Sequence, residues 1–239
     1  MQIDIRVVNV VIQNLKKKPL HKASKKVNIK YSFYAVLIAL ILISFVVVPT
    51  LYTYSILNKA NSIAISSISL SLIFSFISFS YFLTKGYTLK ESIKELGLEK
   101  RKITFKYVVI GIVLFFVFFI GEIIASIISN VFNVGINTNV QAVTNGLPVY
   151  FFIFIIIIAP INEEIFFRGL LCPRIGIFAS ALIFGVMHYL SYFSIAEFIA
   201  AFVFGIAAGY IFIKTSSLYS SIIGHMLFDL INIAIIILI

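Results

Sequence analysis

The sequence predicts an all-α fold, a polytopic transmembrane bundle of about seven to eight spanning helices. Of its 239 residues 61% are hydrophobic, with a mean hydropathy of +1.10, whereas soluble domains are about 45–50% apolar. Long apolar runs recur along nearly the whole chain. The runs are continuous and do not alternate with polar residues, which favours membrane-spanning helices over a β-barrel.

The apolar runs place the predicted elements in order along the chain. Residues 1–14 have too few apolar positions to span and are predicted to form an interfacial helix. A basic cytoplasmic segment over 1–30 then precedes a single transmembrane domain over 31–239. Seven spanning helices are predicted over residues 31–55, 62–84, 105–131, 148–171, 175–190, 195–213 and 217–238.

Charge distribution predicts an orientation in a cell membrane. Residues 1–30 hold eight of the nineteen Lys and Arg, and a second basic cluster spans 85–106. The 132–147 loop, which falls on the other side, carries no charge. The positive-inside rule therefore predicts a cytoplasmic N-terminus, an external C-terminus and contact with anionic lipid. No aromatic-interleaved basic face accompanies the lysines, which argues against nucleic-acid binding.

The 85–106 loop is predicted to contain a short amphipathic helix on the cytoplasmic surface. Thr88 and Glu91 have the spacing of a capping box, and Gly97 can end the helix. Leu89, Ile93 and Leu96 follow helical spacing with Lys and Glu opposite. The alternative is a solvated loop.

Ionisable side chains recur inside the last apolar runs. Each costs at least ~2.5–3.5 kcal/mol at membrane depth, so their retention indicates chemistry. Glu164 and Arg168 are four residues apart and can pair on one helix face, while Glu163 points about 100° away. The candidate site residues are Glu163, Glu164, Arg168, His188, His225 and Asp229.

The predicted helix ends bring these groups to similar depth. A rise of about 1.5 Å per residue places Glu163, His188 and His225 roughly 12–20 Å from one membrane side. A water-containing pocket opening toward the cytoplasm is expected. Glu163 could then take a proton from water, with imidazoles stabilising an oxyanion. The same three residues could instead hold a divalent metal such as zinc, and both readings stay open.

Three motifs in this order carry a family resemblance. Glu163–Arg168 resembles the EExxxR motif of the CAAX protease and bacteriocin-processing (CPBP, or Abi) intramembrane proteases. Phe184–His188 is similar to the FxxxH of that family, and His225–Asp229 to its HxxxN/D. The resemblance covers roughly residues 105–239, which would form the protease core.

The resemblance implies an intramembrane endopeptidase acting on a short hydrophobic, amphipathic or lipidated peptide near the cytoplasmic leaflet. Glu163 would activate water together with His188, while His225 and Asp229 would position or stabilise the oxyanion. The predicted Glu164–Arg168 pair would support the site. Both a metal-dependent and a metal-free glutamate mechanism are considered for the family. The third motif ends here in Asp, not the Asn of the prenyl-protease branch, which weakens transfer of CAAX specificity.

Other readings of the same residues compete with a protease. The ion pair could merely join helices, and the protein could be a catalytically silent scaffold or bacteriocin-immunity factor that binds a peptide or sensor protein. A proton-coupled transporter would use the same groups but lacks visible inverted repeats. Ala201, Gly205 and Gly209 form a small-residue stripe for packing within the bundle or, alternatively, a homodimer face. Glu122 and Glu197 are assigned no catalytic role.

Overall fold

The computed structural model describes residues 59–99, 104–132, 146–192 and 194–238. The predicted helices over 1–14 and 31–55 lie outside these ranges. Within them the protein is helical and contains no strand, which confirms the predicted fold class.

The described residues form seven helices, six of which coincide with the predicted runs from residue 62 onward. Their bounds are α1 Lys59–Thr84, α2 Leu89–Glu95, α3 Phe105–Phe132, α4 Val149–Ile175, α5 Ile177–Tyr192, α6 Ile195–Thr215 and α7 Tyr219–Leu238. Among them α1, α3, α4 and α6 are long and apolar enough to cross a membrane. The α5 and α7 helices are shorter apolar helices.

The α4 helix is divided by two wide π-helical segments, Phe154–Ile158 and Ile165–Leu171. Between them lies a six-residue α-helical segment, Ala159–Glu164, with Pro160 near its start. A π turn pairs residues five apart and leaves local carbonyls without their usual partner. The Ser180 hydroxyl of α5 accordingly donates to the Phe167 carbonyl at 2.7 Å.

Packing places α4 between α1 and the remaining helices. The middle of α4 contacts α1 and α7, while α3 lies along α6 and α7 and α5 lies along α6. An aromatic core joins these helices, since the Phe118 ring stacks on Phe228 at 3.6 Å and on Phe204 at 4.5 Å between centroids. This core lies directly beside the ionisable groups, with the Phe118 and His225 ring centroids 5.8 Å apart.

The small-residue stripe of α6 packs within the chain. A Cβ on Gly205 would lie 2.9 Å from the Ala181 Cβ, and one on Gly209 would lie 3.1 Å from Ile177 Cγ2. Both glycines therefore face α5, as the intrachain alternative predicts. Both glycines are buried within the chain, and the homodimer face stays a prediction.

The α2 helix has the predicted caps. The Thr88 hydroxyl accepts from the Glu91 amide at 3.3 Å, and the Glu91 carboxylate accepts from the Thr88 amide at 2.7 Å. Gly97 has a φ of +82°, and a Cβ there would meet the Phe212 ring at 2.7 Å. Leu96 is fully buried, but Leu89 is 58% exposed, so the predicted apolar face is only partly covered by the bundle.

Most basic residues of the described chain gather at one end of the bundle, whereas Lys59 lies at the other end of α1 and Arg168 in the interior. The Arg174 guanidinium lies 4.3 Å from the Tyr81 ring centroid and donates to the Leu170 carbonyl. An apolar cluster that includes Phe82, Leu96 and Leu218 joins α1, α2 and α7 there. We call this the basic end, defined by Lys85, Lys90, Lys94, Arg174 and Lys214.

Candidate active site

The predicted Glu164–Arg168 pair is formed and closed off from solvent. Arg168 Nη1 lies 2.9 Å from Glu164 Oε1, and both side chains are at most 1% exposed. The guanidinium carbon lies 4.1 Å from the Phe184 ring centroid and 5.1 Å from that of Phe204. Arg168 is therefore held between a carboxylate and two aromatic faces, which compensates part of the cost of burying its charge.

Glu163 points into a different environment from its neighbour. Its side chain is 20% exposed, and its Oε2 lies 3.9 Å from His225 Nε2. That oxygen is buried without a hydrogen-bond partner among the described residues. A buried acceptor without a partner is costly, so Glu163 has an unused oxygen available for a water or a ligand.

His225 connects the two glutamates. Its Nδ1 lies 3.2 Å from Glu164 Oε1, which orients the ring, while Nε2 faces Glu163. Asp229, one turn further along α7, has its Oδ2 3.8 Å from the same Nε2. With a proton on Nδ1 donated to Glu164, Nε2 is free to accept a proton or bind a metal.

His188 completes the group from α5. Its Nδ1 lies 3.0 Å from the Phe184 carbonyl of the preceding turn, so Nδ1–H donates there and Nε2 is left free. Single ligand atoms of Glu163, His188 and His225 all lie within 4.8 Å of one another. The structure thus brings together all the residues that the sequence nominated, from α4, α5 and α7.

A cavity of about 240 Å³ adjoins these groups. Its polar walls are Glu163, His188, His225, Asp229, Ser67, Ser71, Ser191 and Tyr192. Its apolar walls include Leu70, Phe74, Leu147, Phe151, Phe154 and Ile155. The described walls extend from mid-bundle to the Leu147 and Tyr192 end, away from the basic end. The sequence predicts a pocket that opens toward the cytoplasm, and the direction of opening stays a prediction.

The donor set fits a zinc ion. Two imidazoles and a carboxylate form a known three-ligand set with a fourth position open. The Nδ1 atoms of His188 and His225 contact a carbonyl and a carboxylate, the outer partners usual for metal-bound histidines. Donors of a tetrahedral zinc are about 3.3 Å apart, so the three ligand atoms, which lie within 4.8 Å of one another, would have to move closer together.

Sequence reasoning missed the contribution of α1. Ser67 and Ser71 line the cavity, and the Asn162 side chain bonds to Ser71 and Ser75. The signal was present as serines at positions 67, 71 and 75, one helical turn apart, and as an asparagine beside the glutamates. Glu122 is absent from the cavity walls.

A carboxylate and two histidines beside a cavity in a bundle of apolar helices are groups that an intramembrane protease could use. Residues 145–231 match the family model described as type II CAAX prenyl endopeptidase Rce1-like. The match contains all the candidate site residues and confirms both the resemblance to the CPBP family and the predicted enzyme class. Helices α1 to α3 lie outside it. No curated protein and no solved structure matches the chain.

Proposed function

We propose that this protease hydrolyses a peptide bond with a water activated by Glu163. The observation that carries the proposal is the convergence of Glu163, His188 and His225 within 4.8 Å at the wall of one cavity. Glu163 offers the unpartnered oxygen that a general base needs. His188 presents its free Nε2 to the same space.

The reaction follows from these positions. A water between Glu163 and His188 gives a proton to the Glu163 carboxylate, and its oxygen bonds to the scissile carbonyl carbon. His225, when protonated on Nε2, donates to the carbonyl oxygen and stabilises its developing negative charge, and Asp229, 3.8 Å from that nitrogen, orients the imidazole or the peptide. The carbon–nitrogen bond then breaks, and the proton on Glu163 passes to the leaving amine. The Glu164–Arg168 pair holds the His225 ring and the α4 helix in place.

A zinc ion would be held by Glu163, His188 and His225. When bound, it would act as a Lewis acid and favour ionisation of a coordinated water. Metal-free and metal-dependent hydrolysis use the same residues, and chelation separates them.

The substrate we propose is a short apolar, amphipathic or lipidated peptide. Aromatic and aliphatic side chains form most of the cavity wall, which suits an apolar chain and excludes a highly charged one. The matched family is described as CAAX prenyl endopeptidases, so a prenylated peptide is one candidate. Asp229 stands where the prenyl-protease branch has Asn, so unprenylated peptides are tested beside it.

The position of the cavity revises the expected side of cleavage. With the basic end in the cytoplasm, as the positive-inside rule predicts, the described walls lie in the other half of the bundle. We therefore propose that the peptide reaches Glu163 through the half that contains Leu147 and Tyr192, and not from the cytoplasmic leaflet.

Cleavage by wild type and Glu163→Gln in liposomes tests the reaction. Fluorogenic peptides of equal sequence are used with and without a prenyl group, and with and without a zinc chelator. Wild type is expected to cleave and Glu163→Gln to lose about 100-fold or more of the rate. Glu122→Gln is the matched control, since Glu122 is a half-buried membrane glutamate outside the cavity.

The outcomes are distinct. Full activity in Glu163→Gln would overturn the role of Glu163 as the base. Loss of cleavage on chelation, with recovery on adding zinc, would assign the three ligands to a metal. Binding of peptides by wild type without cleavage would favour the scaffold alternative.

A further inference from the structure

We propose that Asn162 is a positioning residue for Glu163, and that Ser71 and Ser75 of α1 hold it in place. The inference rests on the proposed function, because it concerns how the base is aimed. It assigns an active-site role to α1, which lies outside the family match.

Asn162 is fully engaged by α1. Its Nδ2 donates to Ser71 Oγ at 3.0 Å, and its Oδ1 accepts from Ser75 Oγ at 2.5 Å. The asparagine is 6% exposed. Ser71 and Ser75 are one turn apart on α1, so both ends of the amide are bound to a single helix face. We call these three residues the amide latch.

The latch binds the segment of α4 whose rotation about the helix axis is least fixed by backbone hydrogen bonds. Ala159–Glu164 is flanked on both sides by π-helical segments. Wide turns shift the angular position of the following residues, and Pro160 removes one backbone donor. Backbone pairing alone therefore leaves the rotation of this short segment weakly determined.

Because Asn162 and Glu163 lie on the same short helical segment, binding Asn162 to α1 fixes the direction of the Glu163 side chain. Asn162 and Glu163 are consecutive, so their side chains diverge by about 100° around the helix. With Asn162 bound to α1, Glu163 faces His225 and the cavity. Glu164, a further 100° on, meets Arg168. A rotation of the segment would move both glutamates together.

Directional bonding distinguishes the latch from ordinary packing. An apolar side chain at position 162 would fill the same space without a preferred angle, whereas two hydrogen bonds with opposite polarity define one. Ser71 also lines the cavity, so the latch lies at the wall that Glu163 faces. This placement beside the base is what a positioning role requires.

Kinetics in detergent tests the latch. Asn162→Ala and Ser71→Ala/Ser75→Ala are each expected to lower kcat about 10- to 100-fold with little change in KM, because misplacement by about 1 Å can cost 100-fold. The triple variant is expected to lose no more than either, since the residues act as one unit. Ser78→Ala is the matched control, as this buried α1 hydroxyl donates to the Phe74 carbonyl within its own helix.

A second measurement does not depend on cleavage. Glu163→Cys in a Cys172→Ser background is labelled with a small thiol reagent, and the rate is compared with and without the latch. Asn162→Ala is expected to change the labelling rate several-fold, and Ser78→Ala to leave it unchanged. The rates are measured below the unfolding transition of every variant.

The two proposals fail in different ways. In one outcome, Glu163→Gln loses activity, while Asn162→Ala keeps the wild-type kcat and the labelling rate does not change. This outcome would overturn the latch and leave the proposed function standing. An unchanged labelling rate at position 163 in Asn162→Ala would also overturn the latch. This result would count even if wild type cleaved none of the peptides. Full activity of Glu163→Gln would overturn the base assignment, and the labelling result would still report whether Asn162 orients position 163.

Discussion

The two sides of the candidate active site differ in how their charges are satisfied. On the closed side, Glu164 and Arg168 are 2.9 Å apart and shielded by two phenylalanine rings. On the open side, the Glu163 carboxylate lies 3.9 Å from the Nε2 atom of His225 and faces a cavity. These two glutamates are adjacent in the chain. Their difference teaches that one helix can direct a paired, buried carboxylate and a cavity-facing carboxylate from consecutive residues.

The physical basis of the difference is the direction of each side chain around α4. The Glu164 carboxylate contacts the Arg168 guanidinium and the His225 imidazole, and both charge-assisted contacts are made by its Oε1. The Glu163 carboxylate faces the Nε2 edge of His225 and the cavity. Loss of a group on the closed side should therefore affect stability, and loss on the open side should affect chemistry.

Arg168→Ala is expected to give the largest stability loss. Removing one partner leaves the Glu164 carboxylate buried without its cation, which typically costs about 3–5 kcal/mol. The free energy of unfolding is measured by titration with a denaturing detergent in mixed micelles. Glu163→Gln, which keeps the shape of the open side, is the comparison and is expected to unfold like wild type.

A paired replacement sharpens this test. Glu164→Gln/Arg168→Met removes both charges and should cost less than Arg168→Ala, because no buried charge is left alone. Equal unfolding free energies for wild type and Arg168→Ala would contradict the description of the closed side as a supporting pair.

Asp229→Asn is expected to have an intermediate effect, on catalysis alone. In the structure the Asp229 carboxylate lies 3.8 Å from His225 Nε2, and the Asn amide would keep a polar group there. Asn also occurs at this position of the resembled motif. The cleavage rate should fall by no more than about 10-fold, or about 1.4 kcal/mol of activation free energy. Asp229→Ala should fall further. An equally large loss in Asp229→Asn and Asp229→Ala, well above 10-fold, would contradict this expectation and show that the negative charge itself is required there.

Thr88→Ala is expected to have the smallest effect and sets the baseline for both sides. It removes the N-cap of α2 at the basic end, far from the cavity, at a cost of about 1 kcal/mol. Thermal unfolding in detergent should show a small decrease in midpoint, with kcat and KM unchanged. A change in kcat would mean that the basic end is coupled to the site.

Helix positions and the residues that gather at the candidate site could be predicted from the sequence because both depend on local pattern. Apolar runs give the bounds of α3 and α6 within a few residues, and Thr88 with Glu91 predicts the cap of α2. The EExxxR spacing predicts the closed pair because residues four apart always meet on a helix.

The features that could not be predicted from the sequence depend on contacts between distant residues. The π segments of α4 depend on packing partners such as Ser180, which lies in another helix. The bonds of Asn162 to α1 join residues about ninety positions apart, and no spacing rule relates them. The half of the bundle in which the described cavity walls lie follows from the same packing between distant residues, and no local spacing predicts it.

The wide turns of α4 have a consequence for insertions and deletions. Each π turn holds about one residue more than an α-helical turn of similar rise, so the extra residue is absorbed locally and the helix on either side keeps its orientation. Deleting one residue from Phe154–Ile158 should therefore leave an ordinary helix whose two flanks still face the same neighbours. The same deletion within Ala159–Glu164 should rotate one flank by about 100° relative to the other. Single-residue deletions should therefore be better tolerated in the first segment than in the second.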